Sequence, residues 1–175
     1  MLADPTDHVA LLRREVHLDA VPEDAPCRIW VDGRYSLRVN GTEVARGPVR
    51  SEPRQSHYDV VDLAPHLRTG TNVIAILARH FGTATSWWMP VPPSYSLGGG
   101  GVVFEALLGD EWIVSDTSWR ASAGDAWSPV PVPGDVACLP LESFDSRVYP
   151  TGWDAPGFDD AGWGPAAQIV PGNTG

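Results

Sequence analysis

Asp32-Gly33-Arg34-Tyr35-Ser36-Leu37-Arg38-Val39-Asn40-Gly41 is the stretch that decides the fold class. Tyr35, Leu37 and Val39 alternate with Ser36, Arg38 and Asn40, the period-two pattern of a strand with one buried face. Asn40-Gly41 then supplies the two positive-φ residues of a type I′ hairpin turn, and Thr42 to Arg46 returns as the partner strand. Cys27 to Val31, just upstream, is a third short run, so a meander is expected to start there.

Working outward, Val16 and Leu18 flank His17 in a short alternation that reads as a strand, and His57 to Leu63 is another candidate. Ala64-Pro65-His66-Leu67-Arg68 is too short for a packed helix and predicts a helical turn. Val73 to Ala78 is apolar at both parities and β-branched, as a central strand covered on both sides requires. Gly82 to Gly101 is a long irregular segment with Trp87-Trp88, three prolines and four consecutive glycines. Val102 to Leu108, Glu111 to Val114 and Ser118 to Ala121 complete the expected strands, and the Pro-rich Ser128 to Pro140 reads as loop or edge. Short strands at regular spacing, with no long helical period and no internal repeat, predict an all-β sandwich.

Length and composition agree. The 175 residues fit one domain with short arms: residues 1–8 as an arm, 9–167 as the module, 168–175 as a tail or linker. All 12 basic residues are arginine, against 22 Asp and Glu, for a formal charge of −10. That balance excludes a phosphate-backbone binder, so no nucleic-acid partner is expected. The absence of lysine excludes Walker-type phosphate loops and Schiff-base chemistry. Met1 to Ala10 has neither the basic nor the apolar region of a secretory signal, and no stretch approaches the ~20 apolar residues of a membrane span. A cytoplasmic protein without a membrane partner is expected, unless the chain is a piece of a larger one. Cys27 and Cys138 fit no disulfide framework or zinc spacing and are expected to be buried free thiols.

Catalytic signals are sparse. His8, His17, His57, His66 and His80 include no helical zinc pair, and no GxSxG elbow occurs. Gly98 to Gly101 precede a strand rather than open a helix, the wrong context for cradling phosphate. Asp159-Asp160 and Asp116 are best explained as turn and capping residues. No catalytic residue and no metal site is therefore expected. Calcium is compatible with the acidity, but no ligand set emerges, so no cofactor is assigned. The tryptophans say more. Sugars stack on exposed aromatic rings, and Trp87, Trp88 and Tyr95 in the long loop are candidates for carbohydrate binding or for covering a neighbouring domain. Trp30, Trp112 and Trp119 lie in strands and are expected in the core.

Read together, these segments resemble the amino-terminal β-sandwich module of bacterial α-L-rhamnosidases, which implies a galactose-binding-like jelly roll. The hairpin fits "G-x-Y-x-L-x-V-N-G" from Gly33 to Gly41. Tyr58 to Leu63 with Leu67 and Gly70 to Ala75 fit "Y-D-V-T…L-x-x-G-x-N-x-I-A", and Ser115 to Trp119 fit "T-D-x-S-W". Glu142-Ser143-Phe144-Asp145-Ser146-Arg147 and the run from Gly152 to Trp163 are similar to "E-x-Y-D-A-R" and "G-W-D-x-P-G-F-D-D-S-x-W". The resemblance implies a non-catalytic accessory module whose partner is an (α/α)6 catalytic domain, and a rhamnose-containing glycan as a further partner. The alternative is a freestanding lectin-like carbohydrate-binding protein; a small hydrolase using Glu142 or Asp145 is a third reading. Asp145 and Arg147, two apart on an extended segment, face one side and are expected to pair as a buried or interfacial clamp, with a sugar contact as the rival role.

Overall fold

The computed structural model describes residues 8–49, 57–80, 100–130 and 141–169. Twelve strands run in chain order: β1 (His8–Leu18), β2 (Pro26–Val31), β3 (Arg34–Val39), β4 (Thr42–Gly47), β5 (Asp59–Asp62), β6 (Gly70–His80), β7 (Val102–Leu108), β8 (Glu111–Val114), β9 (Arg120–Ala123), β10 (Trp127–Val130), β11 (Leu141–Phe144) and β12 (Gly164–Pro165). A single 3-10 turn, Ala64–His66, stands where the helical turn is expected. The strands form a six-stranded sheet in the order β12-β9-β1-β6-β3-β4, a four-stranded sheet β5-β2-β7-β8 and a two-stranded β10-β11 ribbon. All described pairings are antiparallel.

The two larger sheets pack face to face as a β-sandwich. Tyr35, Leu37, Ile74 and Ile76 of the six-stranded sheet meet Cys27, Ile29, Phe104 and Ala106 of the four-stranded one in a single buried cluster. Alternation places these residues inward, as the hairpin pattern requires. The turn itself is fixed by a polar knot. Asn40, at φ 52°, donates from Nδ2 to Asn72 Oδ1 at 2.8 Å and to the His66 carbonyl at 3.0 Å, and its Oδ1 accepts the Val73 N–H at 3.0 Å. Asn72 is fully buried and donates onward to the carbonyls of Arg68 and Gly70. Each buried amide thus has partners, which removes the desolvation penalty of leaving it unpaired.

The other face of the six-stranded sheet is also covered. Leu11, Val73 and Ala75 point away from the sandwich core into a second cluster with Trp153, which is fully buried, flanked by Trp127, Tyr149, Phe158 and Trp163. This explains why β6 is apolar at both parities. The C-terminal segment supplies that cover, and arginines of the sheet hold it. Arg13, 2% exposed, donates to the carbonyls of Trp153 at 3.0 Å and Ala155 at 3.3 Å and pairs with the Asp160 carboxylate. Arg38 pairs with Asp154, and Arg120 donates to the carbonyls of Asp160 and Trp163.

Several expectations change. β1 is eleven residues long, not a short run at Val16 to Leu18, because it pairs along its whole length with β6. The strand expected over Ser118 to Ala121 begins at Arg120; Asp116 accepts the Ser118 N–H at 2.8 Å and holds the preceding residues in a turn. Trp119 is buried as expected, but Trp112 is not: Ile113 takes the inward position of β8, leaving Trp112 outward and 53% exposed. Trp30 is likewise outward, between the buried Ile29 and Val31, and only half-buried. Among the described residues, no helix is long and apolar enough to cross a membrane.

Arg13→Ala should destabilise the chain by about 3 kcal/mol, the usual scale for removing one member of a buried ion pair. Urea denaturation followed by tryptophan fluorescence measures it. The exposed Arg147→Ala should leave the midpoint unchanged.

Candidate functional site

Three features could carry function. The first is a cavity of about 940 Å³ between the sheets, walled by Leu12, Ile76, Phe104 and Trp119 among others. Its polar end is a buried pair: His80 Nδ1 lies 3.5 Å from Asp32 Oδ2 and 3.3 Å from the Asp32 carbonyl oxygen. Glycines permit this close approach. A Cβ on Gly33, at φ 123°, would fall 2.0 Å from the Arg79 carbonyl oxygen, and one on Gly100 would fall 2.8 Å from His80 Cγ. The cavity offers apolar walls with a carboxylate and an imidazole at one end, the general form of a small-molecule pocket.

The second is the outer face of the four-stranded sheet. Tyr58, Val60, Val103, Trp112 and Val114 are exposed there, at 56%, 67%, 56%, 53% and 41%. Register lines up Val60, Arg28, Glu105 and Val114 across all four strands. Arg28 pairs with Glu105, and its guanidinium lies 5.9 Å from the Tyr58 ring centroid. Arg28 and Glu105 therefore neutralise each other in the middle of this face, with Asp62 at its edge. A contiguous apolar surface of this kind marks an interaction site more often than chance exposure does.

The third is the β10-β11 ribbon. Trp127 and Phe144 are directly paired, their ring centroids 5.1 Å apart, and Tyr149 packs edge-on to both at 5.7 and 5.6 Å. Phe144 is nonetheless 49% exposed. Asp145 follows it. Its carboxylate accepts Arg147 Nε at 2.8 Å, Nη2 at 2.7 Å and the backbone N–H at 3.0 Å, and the guanidinium holds it below the usual carboxylate range.

Asp145 and Arg147 thus form a local pair with Arg147 86% exposed, and the buried clamp lies elsewhere. It is Arg13 with Asp160, and Arg38 with Asp154. Asp160, expected as a turn residue, does accept the Trp163 N–H through its carbonyl, but its carboxylate is the anchor. The signal for Arg13 is a basic residue at a position sharing the parity of Leu11 on β1. Trp87, Trp88, Tyr95 and Cys138 lie outside the described residues. No group of three or more His, Cys, Asp or Glu gathers as a metal site among the described residues.

Comparison with known proteins places this architecture. A crystal structure of a GH78 family rhamnosidase from Bacillus sp. GL1 superposes with a TM-score of 0.78 and 29% identity, over 99% of this chain and 18% of that one. The chain matches a β-sandwich domain of the α-L-rhamnosidases. An α-L-rhamnosidase of Streptomyces avermitilis is 27% identical over 159 residues, 90% of this chain and 12% of that protein. The chain therefore spans less than one fifth of the rhamnosidases it resembles. A lectin from Pleurotus ostreatus, solved with GalNAc, shares the fold at a TM-score of 0.52 and 22% identity, over 93% of this chain and 37% of that one. No family model matches.

Cys27, in the sandwich core of this rhamnosidase-like domain, is chemically silenced. Burial, then the neighbouring Glu105 charge, pushes its thiol from 9.0 to about 12. The folded state holds the proton more tightly, so this contribution to stability is complete below pH 9 and falls as pH rises toward 12. In a Cys138→Ser background, unfolding free energy at pH 10.5 should be lower than at pH 8, with about 2 kcal/mol of the loss abolished by Cys27→Ala. Urea titrations at the two pH values measure this.

Proposed function

We propose that this chain is a non-catalytic accessory module of an α-L-rhamnosidase-like glycoside hydrolase, docking through its four-stranded sheet onto the (α/α)6 catalytic domain. The observation that carries the proposal is the asymmetric cover of the sandwich. The C-terminal segment seals the outer face of the six-stranded sheet, while the opposite face presents Val60, Val103 and Trp112 to solvent. The small share of the rhamnosidases that the chain spans supports the same reading, because most of such an enzyme remains to occupy that face.

The second reading is carbohydrate binding, either within such an enzyme or as a freestanding lectin-like protein. It is favoured by the shared fold of the Pleurotus ostreatus lectin. Rhamnose-containing glycans are the natural ligands to try.

Sequencing the gene past Gly175 separates the module from the lectin. An open reading frame that continues into a helical domain is expected, and a stop codon there contradicts the accessory role. In the joined protein, Trp112→Glu should lower the melting temperature of the catalytic domain while leaving that of the isolated module nearly unchanged. Differential scanning calorimetry of both forms reads this.

A further inference from the structure

We propose that the Trp127–Phe144–Tyr149 trio, with the Asp145–Arg147 pair beside it, is a carbohydrate platform that takes the apolar face of a pyranose ring. The inference rests on the carbohydrate-binding reading above and gives it a location among the described residues.

Three observations combine. Phe144 is half-exposed yet pinned by two other rings at 5.1 and 5.6 Å, so its ring is presented to solvent in a fixed orientation. A pre-ordered aromatic loses little conformational freedom on binding, and its electron-rich face attracts the polarised C–H groups on one side of a sugar. The supports are themselves tied down. Trp127 and Tyr149 pack into the cluster around Trp153, whose indole N–H donates to Tyr149 Oη at 2.9 Å.

Polar groups flank the ring on both sides along the chain. Asp145 is held by its own N–H, which donates to the Ala126 carbonyl at 2.8 Å, and its carboxylate is locked to Arg147. Glu142, two residues before Phe144 and hence on the same face of β11, pairs with Arg79 at 2.6 Å. The Asp145 carboxylate and the largely exposed Arg147 guanidinium suit adjacent ring hydroxyls, which both donate and accept. An exposed aromatic ring followed in the chain by such a pair is a combination that suits sugar recognition. The pair at Asp145 and Arg147 contributes little to folding because it is exposed and local.

The test uses the isolated chain with L-rhamnose, N-acetylgalactosamine and glucose as probes, by saturation-transfer NMR and calorimetry. Binding of at least one sugar is expected, with Phe144→Ala weakening it ten-fold or more and Arg147→Ala about three-fold or more. Phe144→Tyr should retain it, as should Trp112→Ala on the opposite sheet. Near-ultraviolet circular dichroism confirms that each variant is folded; if Phe144→Ala is not, the exposed Arg147→Ala and the conservative Phe144→Tyr decide. Binding that Phe144→Ala and Arg147→Ala leave unchanged overturns the platform while the carbohydrate reading stands. Absence of binding by the wild-type chain to every probe at tens of millimolar overturns both.

Discussion

Arg13 is the residue on which the rest of the structure depends. A guanidinium that is 2% exposed would be prohibitively placed without partners, and besides Glu15 at 3.8 Å on its own strand it has three distant ones: the Asp160 carboxylate and the carbonyls of Trp153 and Ala155. Those three all belong to the C-terminal segment, 140 or more residues along the chain. The contact therefore fixes where the last part of the chain lies. It also sets Trp153 against Leu11, Val73 and Ala75, burying the outward face of the two central strands. Arg38 with Asp154 and Arg120 with the Asp160 carbonyl repeat the arrangement on either side. The all-arginine composition has a structural use here, because a planar fork with several donors meets carbonyls and carboxylates together in a way an ammonium does not.

With one face covered in this way, the outer face of the four-stranded sheet and the aromatic ribbon stay exposed among the described residues. The four-stranded sheet offers a broad apolar face suited to another folded domain. The aromatic ribbon, carried on the sealed side by packing against the Trp153 cluster, offers a narrow platform with flanking polar pairs suited to a sugar. The division of labour follows from the packing. Cover on the six-stranded sheet supplies the base on which the proposed platform rests and leaves the other sheet as the proposed docking face. Both roles suit a chain that matches less than one fifth of an α-L-rhamnosidase.

Much of the fold was legible because local signals and tertiary demands coincide. The Tyr35-Leu37-Val39 alternation and the Asn40-Gly41 turn specify β3 and β4, and the doubly apolar run at Val73 to Ala78 marks a strand covered on both faces. Trp112 was misread because strand membership does not tell which parity faces inward; Ile113 wins the buried position. The clamp was misplaced for a related reason. Asp145 and Arg147 are close in sequence and satisfy each other locally, whereas Arg13 and Asp160 are 147 residues apart and meet only through the tertiary fold, and no local pattern encodes that pairing. The aromatic trio was invisible for the same cause: Trp127 and Phe144 are brought together by strand register across residues 131–140.

Hydroxyl-radical footprinting tests the central claim, that the four-stranded sheet docks onto the rest of a larger enzyme while the ribbon stays open. The isolated chain is compared with the same chain joined to a rhamnosidase catalytic domain. The account predicts that oxidation of Tyr58 and Trp112 falls sharply in the longer protein while that of Phe144 is unchanged. Equal oxidation of Trp112 in both would contradict it.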